Sequence, residues 1–187
     1  MSTAIIVHGT PSKEEFFNPL KLSESNKHWI PWLQKQLLIN DIFTWTPEMP
    51  KAYSPDYKNW QEEFGRYPVN EDSLLVGHSC GGGFLLRWLS ENRVKIKRVI
   101  LVAPWLDPHQ EKGPEFFSFK IDPEIVNQVD LHLFTSNNDS ADVLASVEII
   151  KKDLPLIQVR EFPGLGHFCQ SDLNSEKFPE LLDLLLM

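Results

Sequence analysis

Two hydrophobic rhythms alternate along this chain. Short apolar runs, bounded by polar or turn-forming residues, cover residues 3–8, 42–46, 73–77, 98–103, 131–136 and 157–162. Several are apolar at consecutive positions, the pattern of strands buried on both faces of a parallel sheet. Val99-Ile100-Leu101-Val102 is the clearest of them. Between the runs, apolar residues recur three and four positions apart, the period of one helix face. Trp29, Trp32, Leu33 and Leu37 mark a helix over 28–39, with Pro31 in its first turn, where a missing N–H breaks no helical bond. Tyr57, Trp60 and Phe64 mark a second helix, and Phe84, Leu85, Trp88 and Leu89 a third. Val143, Leu144, Val147 and Ile150 mark a fourth, and Phe178, Leu181, Leu182 and Leu185 close the chain with a fifth.

Strand–helix alternation implies βαβ units with right-handed crossovers, hence an α/β protein built as a three-layer α/β/α sandwich around a roughly six-stranded parallel sheet. Two stretches break the rhythm. Residues 10–27 follow the first strand without a clear period. Residues 104–123 combine several prolines with Trp105, Phe116, Phe117 and Phe119. Long irregular insertions in a compact domain are usually functional, so 104–123 is expected to form a pocket-rim or cap loop on a single domain spanning 1–187.

Composition narrows the classes. A chain of 187 residues suffices for one core and is short for two. With 42% hydrophobic and 24% charged residues it has the make-up of a globular protein rather than a disordered one. A net charge of -8 argues against a nucleic-acid partner, which requires a basic surface. No apolar stretch approaches the roughly 20 residues of a membrane span, and the N-terminus reads as a first strand rather than a signal peptide. A cytoplasmic protein with no membrane partner is the expectation. The two cysteines, Cys80 and Cys169, make no disulfide framework, and no His/Cys cluster has zinc spacing, so no metal is expected.

The candidate chemistry lies at strand ends. Gly77-His78-Ser79-Cys80-Gly81 sits between the third strand and the third predicted helix. In strand–turn–helix context, G-x-S-x-G puts the serine on a sharp turn with its hydroxyl raised toward an acyl carbon. A serine needs a base, and the base an orienting acid, in the chain order Ser, Asp or Glu, His. After the fifth strand comes Asn137-Asn138-Asp139-Ser140-Ala141-Asp142; Asp139 is the first choice, with Asp142 its competitor. After the sixth comes Pro163-Gly164-Leu165-Gly166-His167, which places His167 where the base belongs. Backbone N–H donors for an oxyanion are expected from Cys80 and from Thr10 after the first strand; Pro11 has no N–H to give. Trp60, Trp105, Phe116 and Phe117 are candidates for the acyl-pocket wall.

These residues, together with Asn26-Lys27-His28-Trp29-Ile30-Pro31-Trp32-Leu33 and Met49-Pro50, carry a family resemblance over essentially the whole chain. The chain resembles the small single-domain serine hydrolases of the α/β-hydrolase superfamily, the group of YdeN and retinoblastoma-binding protein 9. The resemblance implies the α/β-hydrolase fold with strand order 2-1-3-4-5-6, esterase-like activity on a small acyl substrate, no cofactor, and a triad of Ser79, Asp139 and His167. The chain departs from the family's D-x-x-V-P pattern at the acid, where Asp139-Ser140-Ala141-Asp142-Val143-Leu144 has an extra residue and no proline. The expected activity is therefore that of a carboxylesterase-like serine hydrolase. The alternatives are a hydrolase-shaped binding module with little turnover, or a thioesterase or amidase on the same residues. The pocket-protein motif L-x-C-x-E is missing, no other protein partner is indicated, and a homodimer is compatible with the sequence without being required by it.

Overall fold

Six strands build one parallel sheet in the order β2-β1-β3-β4-β5-β6: β1 (Thr3–Val7), β2 (Phe43–Trp45), β3 (Ser73–His78), β4 (Ile96–Val102), β5 (Val129–Ser136) and β6 (Gln158–Phe162). The structure is a computed structural model and describes residues 2–110 and 115–187. Strand order and layering are those expected. β3 is buried at every position and β1 at all but its first, which is why their sequences read as unbroken apolar runs. β2 and β6 form the edges, and Phe43 and Val159 there are partly exposed.

The α-helices among the described residues are α1 (Lys13–Phe17), α2 (Ile30–Ile39), α3 (Tyr57–Phe64), α4 (Cys80–Glu91), α5 (Ile125–Gln128), α6 (Ala141–Asp153), α7 (Gln170–Leu173) and α8 (Pro179–Leu186). Five of them are the periodic stretches of the sequence. α1, α5 and α7 span a turn or so each and are too short to display a period. α1 occupies part of the stretch 10–27 that shows no pattern; a capping box between Ser12 and Glu15 starts it. α6 begins at Ser140, whose Oγ accepts the Val143 N–H at 3.4 Å, and ends with Lys151 and Lys152, so both termini suit the helix dipole.

Trp29, Phe134, Phe162, Phe168 and Phe178 pack into one aromatic cluster beneath the loop that follows β6. Ring pairs of this kind add about 0.5–1.5 kcal/mol each beyond area burial, so this end of the sheet is a firm base for a loop. The described residues of 104–123 contain no helix or strand; 111–114 lie outside the described residues. The segment is strapped down. Arg87 Nη1 donates to the Glu115 and Phe116 carbonyls at 2.6 and 2.7 Å, and the Leu106 N–H donates to Ser146 Oγ at 3.0 Å. Among the described residues no helix is long and apolar enough to cross a membrane.

Candidate active site

Ser79 stands between β3 and α4 with φ 55° and ψ -122°, a conformation that L-residues rarely adopt. Such a residue costs on the order of 1–3 kcal/mol and persists only where its surroundings over-determine it. Here the Ser79 N–H donates to the Val102 carbonyl at 2.9 Å, and the Ser79 carbonyl accepts from Gly82, Gly83 and Trp105 at 2.9, 3.2 and 3.0 Å. The backbone is thus fully engaged, and the hydroxyl stands outside that network. The turn can be this tight because a Cβ added at Gly77 would lie 2.6 Å from the Gly81 carbonyl oxygen. Helix α4 therefore packs its first turn directly on backbone.

His167 and Asp139 meet across the ends of β6 and β5. His167 Nδ1 lies 2.9 and 3.1 Å from the two Asp139 carboxylate oxygens, and the Asp139 side chain is 2% exposed. Asp142 lines the same cleft but pairs with another histidine: it sits in the first turn of α6, and its Oδ1 is 3.2 Å from His109 Nε2. The loop carrying His167 is held at several points. Asn138 Oδ1 accepts the Gly166 N–H at 2.8 Å, Ser136 Oγ accepts the Leu165 N–H at 3.0 Å, and Asp172 Oδ2 accepts the His167 and Cys169 N–H groups at 3.0 and 3.1 Å. Gly166 has φ 47°, and a Cβ there would strike the Asp172 carboxylate at 2.7 Å, so the loop needs glycine twice over. Trp29 Nε1 donates to the Phe168 carbonyl at 3.1 Å, which ties the start of α2 to the same loop.

Two histidines that the sequence left without a role brace this arrangement. His78 Nε2 lies 2.8 Å from the His167 carbonyl oxygen. A carbonyl only accepts, so Nε2 carries the hydrogen, and the residue before Ser79 is bonded to the backbone of His167. His8 Nε2 accepts the Met49 N–H at 2.8 Å, which leaves Nδ1 as the donor to the Gly9 carbonyl at 2.6 Å. That bond fixes the Gly9–Thr10 peptide plane, and in a trans peptide the Thr10 N–H points opposite to the Gly9 carbonyl. Gly9 itself lies against Ser79: an added Cβ would be 3.0 Å from Ser79 Cβ and 3.5 Å from its Oγ.

Ser79 and His167 line two neighbouring spaces. One is an open cleft of about 430 Å³ that also touches Trp105, Asp139 and Val143. The other is a pocket of about 80 Å³ walled by Gly9, Thr10, His28, His78 and Cys169. Trp105 lines the cleft, with Phe117 edge-on to it at 5.6 Å between ring centres. Trp60 and Phe116 are a correction. Trp60 is fully buried, its Nε1 bonded to the Pro50 carbonyl at 3.0 Å, and Phe116 packs against it and Phe84. Both belong to the core under the strap rather than to the wall. Neither Cys80 nor Cys169 forms a disulfide. Among the described residues no group of three or more His, Cys, Asp or Glu is placed to hold a metal ion.

Burial sets the electrostatics. It pushes His78 well below its ordinary 6.5, and His167 beside it adds to the effect. Burial likewise lowers His8, His28 and His132. The folded chain therefore takes up protons on these rings less readily than the unfolded chain, which binds them near pH 6.5. Folding stability is therefore whole above that pH and is lost as pH falls toward the folded-state values, with a slope of at most about 1.4 kcal/mol per pH unit for each histidine. Urea midpoints measured at pH 7.5 and 5.5 check this: the midpoint falls at 5.5, and an equal or higher one contradicts the assignment.

The sequence profile of a family described as serine hydrolase matches residues 20–185. Over 85 residues the chain is 32% identical to YdeN of Bacillus subtilis; the stretch covers 43% of this chain and 45% of YdeN, so it spans about half the length of that relative. The crystal structure of the ydeN gene product from B. subtilis superposes with a TM-score of 0.80 at 22% identity, covering 100% of this chain and 97% of that one. Est1E from Butyrivibrio proteoclasticus superposes with a TM-score of 0.64 at 15% identity, covering 99% and 87%. What these two structures share with the chain at such identities is the fold.

Proposed function

The chain belongs to the serine hydrolase family, and on that premise we propose that it cleaves small carboxylic esters or related acyl compounds through an acyl-enzyme on Ser79. One arrangement carries the reading: a serine on a strained turn shares a cleft with His167, whose far nitrogen is 2.9 Å from the buried carboxylate of Asp139.

In this scheme Ser79 Oγ attacks the acyl carbon and gives its proton to His167 Nε2. Asp139 accepts the Nδ1 hydrogen, which selects the tautomer with Nε2 open and stabilises the imidazolium that forms. The N–H groups of Thr10 and Cys80 receive the negative charge that develops on the acyl oxygen. His167 then protonates the departing alcohol oxygen. A water entering from the open cleft loses a proton to His167 and attacks the acyl-enzyme, releasing the carboxylic acid and restoring the serine. Cys169, on the wall of the small pocket, does not compete, because burial pushes its thiol up to about 12 and keeps it protonated.

A fluorophosphonate probe tests the nucleophile. Wild-type protein takes one label, mapped to Ser79 by peptide mass spectrometry; Ser79→Ala takes none, and His167→Ala labels far more slowly. An unlabelled wild type, or a label that persists in Ser79→Ala, overturns the proposal.

A further inference from the structure

Two cavities meet at a single side chain. The pocket of about 80 Å³ beside Ser79 and a larger one of about 370 Å³, walled in part by Leu22, Pro31 and Trp32, have one lining residue in common, His28. Its ring is held rather than hinged. Its backbone is left-handed at φ 58°, its Nδ1 accepts the Gln170 N–H at 3.2 Å, and its ring stands edge-on to His78 at 5.7 Å. The next residue, Trp29, is fully buried and bonded to the base loop, so the backbone beside His28 has little freedom to slide.

We propose that His28 is a specificity-determining partition: it limits the acyl group on Ser79 to about two or three carbons and closes the larger cavity to longer chains. The proposal rests on the acyl-enzyme reading of Ser79. Size supports it, since a cavity that accepts benzene measures about 150 Å³, roughly twice the small pocket. Position supports it too. The Gly9–Thr10 loop walls the small pocket and not the open cleft, so the acyl oxygen lies on the pocket side, and the short acyl chain is assigned to the small pocket beside it. The alcohol then faces the cleft of about 430 Å³ beside Trp105, where bulk is tolerated. Removal of the His28 ring joins the pocket to a cavity whose Leu22, Pro31 and Trp32 give an alkyl chain one apolar wall, alongside the polar Lys27, Gln170 and Glu176.

The test is kcat/KM for the p-nitrophenyl esters of acetate, butyrate and octanoate, read as the octanoate-to-acetate ratio within each preparation so that the active fraction cancels. Wild type loses at least about tenfold between acetate and octanoate, the low end of what one misfitting methylene costs in a closed pocket. His28→Gly, which fits the left-handed backbone, raises the ratio at least about tenfold. His28→Asn also tolerates that backbone and keeps an acceptor near Gln170; it moves the ratio the same way by less. A wild type as fast on octanoate as on acetate, or folded variants that keep the wild-type ratio, overturns the proposal while ester cleavage at Ser79 stands. A wild type that takes the fluorophosphonate label yet hydrolyses none of the three also overturns it. One that takes no label and hydrolyses none takes the Ser79 reading down as well.

Discussion

Asp139→Asn lowers kcat for ester hydrolysis by about four orders of magnitude, whereas Asp142→Asn changes it by less than about threefold. The asymmetry follows from what each carboxylate touches. Asp139 faces His167 Nδ1 with both oxygens and is almost wholly shielded. An asparagine there turns an N–H toward the ring, selects the tautomer with the hydrogen on Nε2, and leaves no lone pair for the serine proton. Asp142 faces His109 at the start of α6, so its loss removes a surface pair and a favourable dipole contact of about 0.3–1 kcal/mol. Ser79→Ala and His167→Ala each cost more, about six orders of magnitude, and the double variant costs no more than either alone, because the groups act as a unit. Steady-state rates on a short ester check the series, with far-UV circular dichroism to show that each variant is folded. A large loss in Asp142→Asn with Asp139→Asn near wild type reverses the assignment of the acid.

The residues at strand ends were legible because the fold writes them next to apolar runs. Ser79 follows β3, Asp139 follows β5 and His167 follows β6, so locating the strands located the candidates. The strands were less legible where charge enters them. β4 begins at Ile96 and β5 at Val129, two residues earlier than the runs at 98 and 131 suggest, since Lys97 and Asp130 interrupt the pattern; Asp130 pairs across the strands with Arg98 at 2.6 Å, so its charge is tolerated there. The pocket wall was not legible. An aromatic at helical spacing reads the same whether it faces core or cavity, and what places Trp60 and Phe116 is contact between distant segments, the Pro50 carbonyl for the first and the Arg87 strap for the second. The braces were hidden for the same reason. His8 acts through Met49, His28 through Gln170, His78 through the His167 carbonyl, and Asp172 through two N–H groups of the base loop. The partners of the three histidines are far from them in the sequence, and only the folded chain brings them together, whereas Asp172 caps its own local turn three and five residues on from the groups it accepts. The N-x-H-W stretch held a partial signal, since Trp29 and His28 both turn out to touch the base loop or its continuation.

Gly81→Ala destabilises the protein by at least about 3 kcal/mol, against the direction that helix propensity gives. Gly81 is in the first turn of α4, where alanine ordinarily gains about 1 kcal/mol over glycine. Here an added Cβ would lie 2.3 Å from the Val7 carbonyl oxygen and 2.5 Å from that of His8. Both obstacles are backbone of the interior strand β1 and its continuation, and neither can rotate away as a side-chain tip could. Relief requires α4 to back off from the sheet by about an ångström. The helix is poorly able to do so, since Phe84, Leu85 and Leu86 are fully buried and the Ser79 N–H is bonded to β4. A loss of this size is a large part of the roughly 5–15 kcal/mol that holds a typical domain together. At about 2–4 °C per kcal/mol for a chain of this length, the melting temperature falls by about 6–12 °C or more. Gly164→Ala is the matched comparison. Its φ is 76° and nothing lies within 4 Å of an added Cβ, so it carries the backbone penalty of about 1–2 kcal/mol without a clash. Thermal unfolding of the two variants side by side separates clash from strain, and a Gly81→Ala protein that melts as high as Gly164→Ala would show that α4 can yield after all. Because the same turn carries Ser79 and the Cys80 N–H, whatever Gly81→Ala protein does fold also labels more slowly with the fluorophosphonate. The close approach that forbids a methyl group is the one that presents the serine.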